Sequence, residues 1–234
     1  MIADLGPYRT AQDIAKSVLN EIVPLINEVS TEASIAADCV RLLRDHGVTE
    51  TWYYEVPALV LLGSRSCWSG SGRDYRPSIE PVGTRNLVTI DLSPLVDGYW
   101  GDCARSFPVQ SGRVDLKGEG EFAEGMQAQA GLHKMLRAFA SPQTTFYEVY
   151  ARIGLRIHEM GYENLDSRGN LGHSIVSDRT DRTFIEPGSP RLLGEGLFTL
   201  EPHIRRVLKG TNGAWGFKQE NIYFFDDQER LQAL

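Results

Sequence analysis

Residues 89–107, "TIDLSPLVDGYWGDCARSF", make an apolar stretch that carries aspartates at 91 and 102, where a strand core calls for Val or Ile. Asp91 follows the run Asn86-Leu-Val-Thr-Ile, and Asp102 opens a second β-like run from Cys103 to Phe107. Between them, Asp97-Gly98 is a two-residue hairpin turn signal. With that turn, residues 96 and 99 pair, so Asp91 faces Ala104 and Asp102 faces Ser93. The two acids then become diagonal neighbours on one face, roughly 7–8 Å apart at the backbone. Two carboxylates on a semi-buried face repel one another and resist desolvation. Either that face is solvated, or a cation sits between the two acids and reverses the sign of the interaction. The hairpin alone leaves both readings open.

Working outward, the 234 residues suffice for one large domain, and no linker-like segment argues for two. A hydrophobic content of 41% with 24% charged residues is the balance of a globular chain. The net charge of −7 argues against a broad nucleic-acid-binding surface, which needs a basic face. Cys39, Cys67 and Cys103 are scattered and form no CxxC, so they read as reduced thiols of a cytoplasmic protein. The first residues, "MIADLGPYRTAQDIAKS", lack the basic flank and apolar stretch of a signal peptide. No apolar run approaches the ~20 residues that span a bilayer, so no membrane partner is expected.

Helical periodicity runs from Pro7 to about Ile26 and from Thr31, a plausible N-cap, to about His46. Glu55 to Leu62 reads as a strand, followed by the Gly/Ser-rich loop "GSRSCWSGSGRDYRPS" and then the two acidic strands. A second helical pair covers Gly118 to Phe139 and Phe146 to Met160, ended by Gly161. The last third is strand and turn: "GHSIVSD", "GLFTLEPHIR" and "WGFKQENIYFFDD". Each half therefore runs helix, helix, strands, without a residue-level repeat.

A cation between the aspartates requires further ligands. His173 in "GNLGHSIVS", Glu201 at the end of "GLFTLEPHI" and Glu220 in "GFKQENIYFF" each stand at the mouth of a β-like run. Singly, each is as readily a structural residue. Together, in the order Asp, Asp, His, Glu, Glu, they form a metal-ligand pattern.

The segments "VTIDLSPLVDGYWGDCARSF", "LGHSI", "GLFTLEPHI" and "GFKQEN" resemble the pita-bread metallohydrolases, which include methionine aminopeptidase, proline dipeptidase, aminopeptidase P and creatinase. The resemblance covers most of the chain from about Asn86 onward, and the two leading helices suit the family's first half. It implies an α+β fold with a pseudo-twofold: a curved antiparallel sheet covered by helices. One catalytic domain over residues 1–234 is expected, without the separate N-terminal domain of creatinase-type relatives. The resemblance makes Asp91 a ligand of one metal, Asp102 and Glu220 bridging carboxylates, and His173 with Glu201 the rest of the other metal's shell. Two divalent ions of Mn, Co, Fe or Zn type are implied. They would hold a bridging hydroxide as nucleophile, with Glu201 shuttling its proton.

The peptidase members also supply two accessory histidines, and this chain departs from them. The first position falls in "SGSGRDYRPS", where Asp74 or a neighbour such as Gly72 stands instead. The second falls in "TFIEPG", at Phe184 or its neighbour, and Ser174 replaces the usual Gly beside the metal His. Losing one oxyanion donor typically costs ~10²–10³ in rate, so ordinary peptidase activity is in doubt. Candidate replacements are His203, on the strand face of Glu201, and Lys218, two residues before Glu220. Arg182 and its neighbour Arg179, with the loop from Arg73 to Arg76, offer cations for a carboxylate. Tyr75, Trp68 and Phe184 offer aromatic walls. The resulting expectation is a hydrolase of amide or other C–N bonds in a small substrate, a dipeptide or modified amino acid, with a homodimer as an allowed assembly. Two other classes stay open: a non-catalytic binding module, and an iron enzyme of redox type on the same scaffold.

Overall fold

Thr31 and Thr145 start the second helix of each half in the same way. Thr31 Oγ1 accepts from the Ser34 N–H at 3.1 Å while Ser34 Oγ accepts from the Thr31 N–H. Thr145 Oγ1 accepts from the Glu148 N–H, and Glu148 returns a carboxylate oxygen to the Thr145 N–H at 2.7 Å. These are reciprocal capping boxes, and they fix both helix starts.

The computed structural model describes residues 4–208 and 211–234, without the side chains of 211–213. Its helices are α1 (Gly6–Glu21), α2 (Glu32–Asp45), α3 (Glu121–Phe139) and α4 (Phe146–Glu159). The first half carries β1 (Glu50–Thr51), β2 (Ala58–Leu62), β3 (Arg85–Leu92), β4 (Pro94–Val96), β5 (Tyr99–Trp100), β6 (Cys103–Gln110) and β7 (Arg113–Val114). The second carries β8 (Tyr162–Asn164), β9 (Phe198–Leu200), β10 (His203–Leu208), β11 (Thr211–Lys218), β12 (Asn221–Phe225) and β13 (Leu231–Ala233). All ladders are antiparallel: β2-β3-β6-β7, β11-β10-β8, β13-β12-β9 and a small β1-β4-β5 ribbon. The molecule is α+β, as expected.

Each half buries its own core. In the first, Val18, Ile22, Ile35 and Leu43 of the helical side pack against Val60, Ile90 and Phe107 of the sheet. In the second, Leu132, Leu136, Val149 and Ile153 pack against Phe198, Ile204 and Tyr223. The order helix, helix, sheet thus repeats, and the acidic face lies where the sheets of the two halves meet.

The strand expected from Glu55 begins only at Ala58, because Tyr54 and Glu55 adopt left-handed φ of 47° and 60° and Pro57 has no N–H to donate. The Gly/Ser-rich stretch is tied down by Glu32, a fully buried residue of α2. Glu32 Oε1 accepts from the Leu62 N–H and from Arg65 Nε at 2.8 Å, and Oε2 accepts from the Ser78 N–H at 2.7 Å. Both ends of the loop 63–78 thus hang on one carboxylate.

Replacing Glu32 by Ala orphans the buried Leu62 N–H and the half-buried Ser78 N–H and should lower stability by about 2–3 kcal/mol in a denaturant titration. A loss within about 0.5 kcal/mol would show that the loop is held by other contacts. A second expectation concerns His133, buried on α3. Its Nε2–H donates to the Gln219 carbonyl at 3.1 Å, which leaves Nδ1 to accept from the Tyr223 hydroxyl at 2.8 Å. Burial pushes this imidazole down to about 3. The unfolded chain therefore takes up the proton first, and the stability that neutral His133 supplies is full above the ordinary histidine range and lost as pH falls toward 3. Between pH 7 and 4.5 wild type should lose roughly 2 kcal/mol more than His133→Gln, read from paired denaturation curves at the two pH values.

Candidate metal centre

β3 and β6 pair in the expected register, with Asp91 opposite Ala104 and Leu92 opposite Cys103. Asp97 and Gly98 take φ of 51° and 83°, the left-handed pair of a type I′ turn, and Val96 pairs with Tyr99. The expected Ser93–Asp102 pair does not form, because the hairpin splits at this point. Ser93 turns to Thr51 and Val56, and β4 leaves the sheet to join β1. Asp102 therefore sits just outside the ladder and needs another anchor.

Gln12 of α1 provides it, accepting from the Asp102 N–H at 2.8 Å and donating to the Asp102 carbonyl at 2.9 Å. The helix comes close because residue 101 is glycine; a Cβ there would lie 2.5 Å from the Ala11 carbonyl oxygen. Gln12 was not among the residues read as functional. Its signal was faint: one glutamine among Ala11, Ala15 and Val18 on the buried face of a helix.

The second half delivers the other donors. The Ser106 hydroxyl donates to the Lys218 carbonyl and accepts the Lys218 N–H at 2.9 Å, which lays the end of β11 on β6. Glu220 sits in the break between β11 and β12. Its N–H donates to Ala104, and its carbonyl accepts from Arg105, which also holds Asn221 Oδ1. His173 bridges to Phe184, and its carbonyl accepts the Thr199 N–H at 2.7 Å. That approach requires Gly172 (φ 151°), where a Cβ would meet the Thr199 oxygen at 2.2 Å. Glu201 lies beyond β9, its N–H bonded to the Leu171 carbonyl.

Three of the five expected donors, Asp102, His173 and Glu220, come together as one group, with Glu201 beside His173 and Asp91 joined to the cluster through Lys218. His173 Nδ1 lies 3.0 Å from the Ser174 carbonyl, which can only accept, so Nδ1 carries the ring proton. The Nε2 lone pair then faces Asp102 Oδ2 at 3.4 Å and Glu201 Oε1 at 3.6 Å. A lone pair aimed at carboxylate oxygens is repulsive unless a proton or a metal cation stands between them. Ligand atoms of Asp102, His173 and Glu220 lie within 4.8 Å of one another. Asp102 Oδ2 and both Glu220 carboxylate oxygens are buried without a hydrogen-bond partner. Burial first, and neighbouring carboxylates second, hold Asp102 and Glu220 well above the ordinary carboxylate range. Burial also lowers His173. A divalent cation would satisfy each of these groups, so the residues fit a metal.

Lys218 is the other charge at the site. Its Nζ lies 2.6 Å from Asp91 Oδ2, 2.9 Å from Glu201 Oε2 and 3.9 Å from Glu220 Oε2. Burial would push Glu201 up, but the Lys218 ammonium holds it below the usual range.

Above these groups lies a cavity of about 700 Å³. Asp74, Arg182, Phe184, His203 and Lys218 line it, as do Trp68 and Arg73. Arg182 stacks between Trp52 and Phe184, 5.3 Å from each ring centroid, and its Nε donates to the Arg179 carbonyl. Trp52, in turn, stacks on Trp100 at 4.3 Å and abuts the His173 ring. Trp52, Tyr53, Tyr54 and Arg168 are lining residues that the sequence reading missed.

Three expected roles are corrected. Tyr75 is buried beneath the sheet, its hydroxyl donating to the Val60 carbonyl and accepting the Val60 N–H, so it does not line the cavity. Ser174 is fully buried and its Oγ accepts the Thr183 N–H, again outside the lining. His203 does reach the cavity, but its Nε2–H is committed to the Ser66 carbonyl at 2.6 Å. Burial pushes this ring down to about 4, so near neutral pH it has no second proton to offer an oxyanion.

Among known proteins, the chain is 23% identical to methionine aminopeptidase A of Synechocystis over 108 residues, 45% of this chain and 42% of that one. Among solved structures, a prolidase from Pyrococcus horikoshii superposes with a TM-score of 0.79 at 19% identity, covering 100% of this chain and 62% of that one. An X-Pro aminopeptidase from Thermotoga maritima gives 0.78 at 19% identity, again over 100% and 62%. A methionine aminopeptidase from Rickettsia prowazekii gives 0.70 at 17% identity, over 97% of this chain and 94% of that one. The chain thus spans under two thirds of the prolidase-type structures and nearly all of the shorter enzyme. No described helix is long and apolar enough to cross a membrane. The model of metallopeptidase family M24 matches residues 7–227, and with this fold and these converging donors the chain belongs to that family of metal-dependent peptidases.

Proposed function

We propose that this chain is a metal-dependent hydrolase that cleaves an amide or other C–N bond in a small, carboxylate-bearing substrate, a dipeptide or modified amino acid. The observation that carries this reading is the convergence of the His173 Nε2 lone pair with unpartnered oxygens of Asp102 and Glu220 at the edge of the cavity. A divalent ion held there by Asp102, His173 and Glu220 would polarise the scissile carbonyl and make water acidic enough to attack near neutral pH. Manganese, cobalt, iron and zinc all suit such an O/N donor set. Glu201, kept ionised beside Lys218, takes the proton of the attacking water and returns it to the leaving nitrogen. Arg182 grips the substrate carboxylate: its guanidinium lies 5.3 Å from the ring centroids of both Trp52 and Phe184 and makes no ion pair among the described residues. Trp52 and Phe184 limit water at the His173 side of the site.

Protein loaded with manganese or cobalt should hydrolyse members of a panel of dipeptides and N-acylated amino acids, and chelation should abolish the turnover. Asp102→Asn should lower kcat by at least about 10³ while leaving the thermal transition within a few degrees. A loaded protein that turns over nothing in the panel, or that retains no metal, would favour a non-catalytic binding module. Arg182→Met should raise KM for carboxylate substrates by roughly 10–100-fold with kcat changed far less, the pattern of lost ground-state binding. Equal losses with the carboxylate-free amide analogue would remove Arg182 from that role.

A further inference from the structure

The five donors divide unequally between cations. One side of the cluster has already been given a cation by the chain itself. Lys218 Nζ lies within 3 Å of Asp91 and Glu201, at 2.6 and 2.9 Å, and is also 3.9 Å from Glu220. The other side has none: Asp102 Oδ2 and the two Glu220 oxygens lack hydrogen bonds, and the His173 lone pair faces them. The group whose ligand atoms lie within 4.8 Å of one another contains Asp102, His173 and Glu220 and does not include Asp91.

We propose that the Lys218 ammonium stands where a second cation would otherwise lie, so that this chain holds one divalent ion, on Asp102, His173 and Glu220, instead of two. The inference rests on the metal-dependent reading above and makes it more specific.

The anchoring of Lys218 also favours it. Lys218 is not a surface side chain leaning inward. Its backbone N–H and carbonyl are both tied to Ser106 Oγ, its Cα is paired with His203 across β10 and β11, and its side chain is only 16% exposed. A second divalent ion on Asp91 would have to displace a tethered ammonium whose local concentration does not depend on the solution. It would also leave that ammonium buried beside a dication.

Manganese titration of the purified chain, followed by calorimetry and by the Mn(II) electron paramagnetic resonance spectrum, reads the count directly. Wild type should bind one ion per chain and show the six-line spectrum of an isolated Mn(II). Lys218→Met, similar in length and uncharged, should bind two and show a broadened, exchange-coupled spectrum; Lys218→Gln should do the same. A wild-type stoichiometry of two overturns the proposal even if neither variant folds. So does a stoichiometry of one in wild type and variants alike, since the lysine would then exclude nothing. Zero ions in every protein would overturn the metal-dependent reading as well, which separates the two failures.

Discussion

The structure turns on the cost of holding unpartnered carboxylate oxygens away from water. Asp102 is 3% exposed and Glu220 is 1% exposed, and three of their four carboxylate oxygens have no hydrogen-bond partner. A buried charge with no compensation costs several kcal/mol, far more than one surface ion pair returns. Such an arrangement persists only if the surrounding fold over-determines it. Gln12 clamps the Asp102 backbone from one side, and Arg105 with the Ala104 carbonyl clamps Glu220 from the other. Neither clamp touches the carboxylate itself. Gln12 bonds to main chain, and Arg105 bonds to main chain and to Asn221 Oδ1, so both leave the acidic oxygens free for a cation.

The two-half architecture explains how donors far apart in the chain reach one place. Each half builds a helix-backed antiparallel sheet with its own core, so each presents a rigid face. Asp91 and Asp102 come from the first face, and His173, Glu201 and Glu220 come from the second. The seam is closed by small polar and glycine residues: Ser106 and Thr89 bond to β11, and Gly216 lets β11 approach Ser66, whose carbonyl oxygen a Cβ would meet at 2.1 Å. Larger residues at these points would push the halves apart by more than a metal-ligand bond tolerates.

Much of this was legible in the sequence, for identifiable reasons. The pairing of Asp91 with Ala104 followed from one turn dipeptide, because a I′ turn fixes register over the whole ladder. The four helices followed from periodicity, and the start at Thr31 from capping chemistry, whereas the matching cap at Thr145 emerges only in the structure. What did not follow is what depends on contacts between the halves. Tyr75 and Trp52 are both aromatic residues near loops; only the packed structure shows that one hydroxyl closes on Val60 while the other ring walls the cavity. Ser174 adjoins a ligand in sequence, but strand alternation turns it to the opposite side, where it bonds to Thr183. For His203 alternation predicted the right face and missed the consequence, because the carbonyl that takes its proton belongs to Ser66, 137 residues away.

The departures from the expected peptidase pattern form one coherent change. Near where the resemblance implies accessory histidines, the chain has the aromatic ring of Phe184 and a loop whose Asp74 lines the cavity, while the cationic groups lie at Lys218 and Arg182. A neutral histidine donates one hydrogen bond and can exchange its proton; a guanidinium or ammonium brings a permanent charge and cannot act as a base near neutral pH. A site built this way gains in binding negative charge and loses in stabilising an oxyanion that appears only during reaction. Phe184 contributes to the same shift, since its ring helps hold the Arg182 guanidinium in place while lying against His173. On the proposed function, a wall that grips a carboxylate beside a reduced set of proton donors would select a small anionic substrate and would rely on Glu201 for its proton traffic.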